Sequence, residues 1–178
     1  MADAGLKQKL FGFHGRLRRR DWWLLGLAVA LVQVAVMLSV HLLVSEQGEP
    51  FLGMLRITES GLIVSTSWWA ATGISALALW PQLAMGVKRG HDIGWSAAWT
   101  TVLYLISFLG GLAPYDFGAA LGAQIDAGRT EFFVPLALLV VSMIVNVVLV
   151  AAFGFVDGRP EANRYGTSPK FESTDAGE

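Results

Sequence analysis

Residues 60–115 read SGLIVSTSWWAATGISALALWPQLAMGVKRGHDIGWSAAWTTVLYLISFLGGLAPY. Lys88, Arg89 and Asp92 are the only Asp, Glu, Lys or Arg residues in this stretch. They divide it into 28 uncharged residues at 60–87 and 23 at 93–115. A bilayer core about 30 Å thick takes roughly 20 apolar residues as a helix. No water is present there to bond free N–H and C=O groups, so the chain inside it must be helical. The stretch therefore predicts a membrane hairpin, with KRGHD as the turn between two spans.

Two further uncharged runs flank this hairpin, 24 residues at 22–45 and 25 at 132–156. The expected fold class is all-α integral membrane, a four-transmembrane-helix bundle with both termini cytoplasmic. It forms one domain over 1–170, with spans at about 22–45, 62–87, 95–114 and 132–156, and a disordered tail at 171–178. Composition agrees: 54% of the 178 residues are hydrophobic and 15% charged, against about 25% charged in soluble domains. A soluble protein burying four such helices would lack the polar chain to cover them. The first run is too long for a cleavable signal segment. The chain has no cysteine, which excludes disulfides and thiolate metal sites.

Charge asymmetry sets the expected orientation. Lys7, Lys9, Arg16, Arg18, Arg19, Arg20, Lys88, Arg89, Arg159, Arg164 and Lys170 fall on one side of a four-span layout, which is 11 of the 13 basic residues. Only Arg56 and Arg129 fall on the other. Short basic loops resist translocation, so the basic side is predicted to be cytoplasmic in a bacterial inner membrane. Trp22, Trp23, Trp95 and Trp99 stand at the cytoplasmic span ends as interface anchors do. Leu6, Leu10, Phe13 and Leu17 have helical spacing, which suggests a short interfacial helix within 5–20. The loops at about 46–59 and 116–131 each have room for a turn of surface helix. Gln33 and Asn146 both lie near the expected midplane and are candidates to bond each other. Pro81 should kink the second span.

Three polar blocks meet on the predicted cytoplasmic face: GRLRRRDWW at 15–23, KRGHDIGWSAAW at 88–99 and NRYGTSP at 163–169. Together they resemble a bacterial inner-membrane family catalogued as domain of unknown function 805. Phe11, Phe13, Gly15, Arg16, Arg19, Trp22 and Trp23 match its entry block. Arg89, His91, Asp92, Gly94, Ser96 and Trp99 match its central block. Asn163, Arg164, Tyr165, Gly166 and Pro169 match its closing block. Ala97, Ala98 and Ala162 depart from it. The resemblance implies a small protein of a few transmembrane helices and no settled activity.

The candidate site is Arg16, Arg19, Arg89, His91, Asp92, Asn163, Arg164 and Tyr165. Guanidinium forks suit carboxylate and phosphate; Asp92, with Asp21, supplies acceptors, and His91, Asn163 and Tyr165 donate or accept. One reading is an internal network that staples both ends of the chain to the 88–96 turn, with Asp92 paired to an arginine of another block. The other is recognition of an anionic lipid headgroup, a phosphorylated ligand or a partner protein. Adjacent His91 and Asp92 point apart on a helix, so a metal site with His14 is not expected. A His91–Asp92 catalytic pair has only Ser96 as a conceivable nucleophile, and no phosphate-binding glycine loop is present. The expectation is thus a non-enzymatic protein without cofactor. Its partners would be the lipid bilayer and a protein partner or a second copy, with no nucleic acid. A small transporter or channel subunit for a neutral solute is the alternative, through a polar path of Gln33, Thr72, Ser75 and Asn146.

Overall fold

The computed structural model describes residues 5–44, 55–58, 61–64, 66–111 and 133–169. Five helices carry the described fold: α1 (Leu6–Phe11), α2 (Arg19–Val44), α3 (Thr66–Ile93), α4 (Ala97–Gly111) and α5 (Phe133–Phe155). A two-stranded antiparallel hairpin, β1 (Leu55–Thr58) and β2 (Gly61–Val64), lies between α2 and α3. α2 over Arg19–Leu43 and α5 over Ala137–Phe155 are long and apolar enough to cross a membrane, and α4 supplies a shorter apolar helix. α3 has 28 residues, about 42 Å at 1.5 Å per residue.

Several sequence expectations need correction. The long elements are all helical, but β1 lies in the loop where a helical turn was expected, β2 takes up the start of the expected second span, and α3 therefore starts at Thr66 rather than at 62. Leu55, Ile57, Leu62 and Ile63 lie in these strands, and β-branched and apolar side chains suit a pleated strand. KRGHD is not a turn. Lys88–Asp92 form the last turns of α3, and the reversal falls at Gly94–Trp95. The interfacial helix spans only Leu6–Phe11, where Gly12 and Gly15 interrupt it. Leu17 is buried, Leu10 and Phe13 are half-buried and Leu6 is exposed, and Phe13 and Leu17 lie beyond the helix, so the four residues do not form one helical face. The loop at 116–131 and the tail at 171–178 lie outside the described residues.

α4 packs on both α3 and α5, α2 packs mainly on α3, and α1 lies along α3. The core gathers at one end around Phe153, which is wholly buried. Trp22 meets its ring edge-on at 5.9 Å and Trp95 lies 5.4 Å away, tilted. Two tryptophans read as interface anchors therefore also pack, half-buried, against the core. Large aromatic rings bury the most area per residue, so they dominate such a centre. Leu103, Val145, Leu149 and Ala152 extend it along α4 and α5. The outward faces remain apolar: Leu27, Leu31, Val32, Leu42, Leu77, Met143 and Val147 are all exposed.

Gln33 and Asn146 do not bond each other. Gln33 donates to Ser75 Oγ (3.3 Å) and accepts from Gln82 (3.0 Å), which ties α2 to α3. Asn146 accepts from Ser107 (3.0 Å), which ties α5 to α4, and donates to the Ser142 carbonyl (2.9 Å). Each amide finds its partner on the helix it packs against. α3 runs unbroken through Pro81.

Candidate functional site

The site grows from the end of α3. Helical spacing puts residues three apart on one face, so Lys88 and His91 share one face and Arg89 and Asp92 another. The first face meets the N-terminal segment: Lys88 Nζ donates to the Gln8 and Lys9 carbonyls at the end of α1. His91 Nδ1 lies 3.1 Å from the Gly15 carbonyl. The second face meets the end of α5 and the chain beyond it. α3 itself stops in a Schellman motif, in which Trp95 N bonds the Gly90 carbonyl (2.7 Å) and Gly94 N the His91 carbonyl (3.3 Å). Gly94 carries the φ of +95° that this C-cap requires. Ser96 then caps α4 by accepting from Trp99 N at 3.2 Å. Its hydroxyl, considered above as a nucleophile, has a structural use.

A helix ends with four carbonyls that have no intrahelical donor. At the end of α5, four consecutive carbonyls take side chains instead. Arg89 donates through Nε to Phe153 O (2.8 Å) and through another nitrogen to Val156 O. Trp23 Nε1 donates to Gly154 O (3.2 Å), and Arg19 to Phe155 O (3.3 Å). Arg19 also faces Asp157 at 3.5 Å, half exposed.

Asp92 is the centre of the charge. Arg16 approaches its Oδ1 at 2.9 Å and Arg89 bonds its Oδ2. The side chains of Arg16, Asp92 and Arg89 are 1%, 3% and 0% exposed. Two guanidiniums share one carboxylate, and the negative end of the α5 dipole offsets the remaining charge. Burial pulls the Arg89 pKa below its ordinary value, and Asp92 opposes that pull. Arg16 goes on to bond Glu161 O (2.8 Å) and Arg159 O, while Arg159 N bonds Asp92 O (2.9 Å). This sews residues 158–161 onto α3. Gly158 lets the chain pass, since a Cβ there would fall on the Asp92 carboxylate.

The third block closes over His91. Asn163 Nδ2 donates to the His91 carbonyl (3.0 Å) and its Oδ1 accepts from Tyr165 N (2.9 Å). Asn163 and Gly166 pair in a tight bridge. Tyr165 stacks on His91 with centroids 3.5 Å apart and planes 5° apart. The exposed Arg164 folds its guanidinium over the Tyr165 ring at 4.7 Å. Burial lowers the His91 pKa, against the Gly15 bond, and Arg164 and His14 lower it further. Lys88 falls to about 8, first by burial and then by repulsion from Lys9.

All eight candidate residues thus occupy one end of the bundle. Arg16, Arg89 and Asp92 are saturated by protein partners, whereas Arg164 faces solvent and Arg19 is half exposed. Sequence reasoning missed the roles of Trp23, Lys88 and Gly158. Lys88 lay in the charged block and Trp23 in the aromatic pair, but both were read as loop or interface residues. Gly158 gave no signal beyond its place in VDGRPEANRYG.

A family model described as "Protein of unknown function (DUF805)" matches residues 10–167. The chain is similar to Inner membrane protein YhaI of Escherichia coli strain K12 and to that of E. coli O157:H7. Each is 26% identical over 162 residues, covering 91% of this chain and 89% of the relative. No solved structure matches.

Proposed function

This chain belongs to the DUF805 family of proteins of unknown function, and on that premise we propose that it is a non-enzymatic inner-membrane component with four spans and both termini cytoplasmic. Its polar cap holds the bundle closed and offers anionic lipid headgroups a basic rim. The relatives' printed name, inner membrane protein, supports the location. The apolar outward faces of α2, α4 and α5 suit lipid.

The observation that carries the reading is the Arg16–Asp92–Arg89 triad. It joins a residue before α2, the end of α3 and the chain that follows α5. Residues in direct contact share one side of a membrane. An even number of crossings must then separate 16 from 92, and 92 from 159. Two and two, through α2–α3 and α4–α5, satisfy this. The basic bias of that side makes it cytoplasmic.

The buried guanidiniums have no spare geometry for a ligand. The exposed Arg20, Arg159 and Arg164 do, and a basic cluster at span ends attracts anionic headgroups. The transporter alternative ranks lower, because Gln33 and Asn146 are engaged in separate helix pairs rather than in one path. The test is native mass spectrometry of the protein from nanodiscs of mixed phosphatidylcholine and phosphatidylglycerol. Retained lipid should be enriched in phosphatidylglycerol, and Arg20→Gln, Arg159→Gln and Arg164→Gln together should remove the enrichment. Equal retention of both lipids by the wild type would refute lipid recognition.

A further inference from the structure

Two buried polar atoms at this end have no hydrogen-bond partner among the described residues, Ser168 Oγ and His91 Nε2, and only the second belongs to a titratable group. His91 is 5% exposed, and its Nε2 finds no hydrogen bond among the described residues. Its Nδ1 faces a carbonyl oxygen, which only accepts, so Nδ1 carries the proton of the neutral ring. Nε2 is then a bare lone pair in a closed wall. That state is tolerable, because a neutral ring stacked flat on Tyr165 leaves a single uncharged acceptor unmade.

The protonated ring is a different object. It would bury a charged N–H with no acceptor, which costs more than an unmade neutral bond. The surroundings offer no compensation. From the N-terminal segment, His14 and Arg16 approach; from the tail, Arg164 and Tyr165; on its own helix, Lys88, Arg89 and Asp92. The one carboxylate among them, Asp92, already serves two guanidiniums. The same residue that resists protonation also holds the tail, through its ring on Tyr165 and its carbonyl on Asn163.

We propose that His91 is an acid-sensitive pin: neutral, it clamps segment 163–169 over the end of α3, and on taking a proton at Nε2 it lets that segment go. The sign follows from linkage. Folding lowers the affinity of His91 for a proton, so the released form binds more protons. Closure is fully favoured above the ordinary histidine range and weakens as pH falls through about 6.5. The loss cannot exceed about tenfold per pH unit for one proton. This inference is independent of lipid binding and of which side of the membrane carries the cap.

The chain has no cysteine, so one can be placed as a reporter. Ser168 is buried and its Oγ has no partner among the described residues, so Ser168→Cys sacrifices no hydrogen bond to any of them. Maleimide labelling of this variant in nanodiscs, divided at each pH by the rate for the same chain unfolded in detergent, reads closure free of thiol ionisation. Protection should hold from pH 8 to 7 and fall several-fold between about 6.5 and 5. His91→Phe keeps a stacking ring but cannot take a proton, and it should flatten the response. His14→Gln should preserve it. A flat wild-type profile overturns the proposal, as does a response lost in His14→Gln or kept in His91→Phe. Should His91→Phe fail to accumulate, the wild type and His14→Gln decide alone by the same criteria.

Discussion

Asp92→Asn isolates the charge at the centre of the cap. The change keeps size and shape and removes one negative charge from between two buried guanidiniums. The asparagine oxygen can still accept from Arg16 or from Arg89, but its amide hydrogens then face the other guanidinium, donor against donor. One bond to a charged group is lost, worth about 1.5–3 kcal/mol. Both cations also lose their counter-ion. Breaking a buried pair by removing one partner costs about 3–5 kcal/mol in total. Arg16 and Arg89 keep backbone acceptors at Glu161, Phe153 and Val156, so the lower end applies, about 3 kcal/mol. At about 2–4 °C per kcal/mol for a chain of this size, the melting temperature should fall by roughly 6–12 °C. Tryptophan fluorescence suits the assay, since Trp22 and Trp95 pack at this end. Arg16→Gln in the Asp92→Asn background should cost less than the sum of the singles, because they share one interaction. A fall of less than about 2 °C for Asp92→Asn would refute the view that this carboxylate neutralises buried charge, since that corresponds to under about 1 kcal/mol.

Other consequences follow from the same geometry. Gly158→Ala should destabilise by about 1–3 kcal/mol through collision with the Asp92 carboxylate, and most of that cost should vanish in an Asp92→Ala background, as thermal melts of the four chains would show. Gly94→Ala forces a Cβ into the left-handed region and should cost about 1–2 kcal/mol, with Gly94→Asn milder in the same melts. Ser96→Ala should cost about 1 kcal/mol as a lost helix cap, measured by denaturant titration. Lys88 has a pKa of about 8 against the ordinary 10.5, so between those values the unfolded chain holds more protons and stability should rise with pH. Comparing melts at pH 8 and 10, the wild type should gain on Lys88→Met; parallel curves would show that Lys88 is not buried at the end of α1.

Much of this arrangement is written locally. The uncharged runs at 22–45 and 132–156 coincide closely with α2 and α5, because hydropathy is a property of consecutive residues and a helix is a consecutive structure. The three polar blocks were visible as blocks for the same reason. Hairpin β1–β2 was harder to read. Its four-residue strands match turn-rich sequence as well as they match a frayed helix, and what distinguishes them is their antiparallel pairing with each other.

The sequence by itself determined that this protein is a set of apolar rods interrupted by a few charged places, and that those places hold arginine, histidine, aspartate and asparagine. Tertiary structure alone decided what each group does. Lys88–Asp92 looked like a turn, because charge in an oily sequence usually marks exposure. They are helical and buried because the end of α5, the N-terminal segment and residues 158–165 arrive together and supply carbonyls and counter-charges. A side chain's partner depends on helix rotation and on where a neighbouring helix ends. Neither is set by the residues beside it in the chain, so only packing could assign Arg89 to Phe153 and Val156, or add Arg16 to the helical neighbour Arg89 at Asp92.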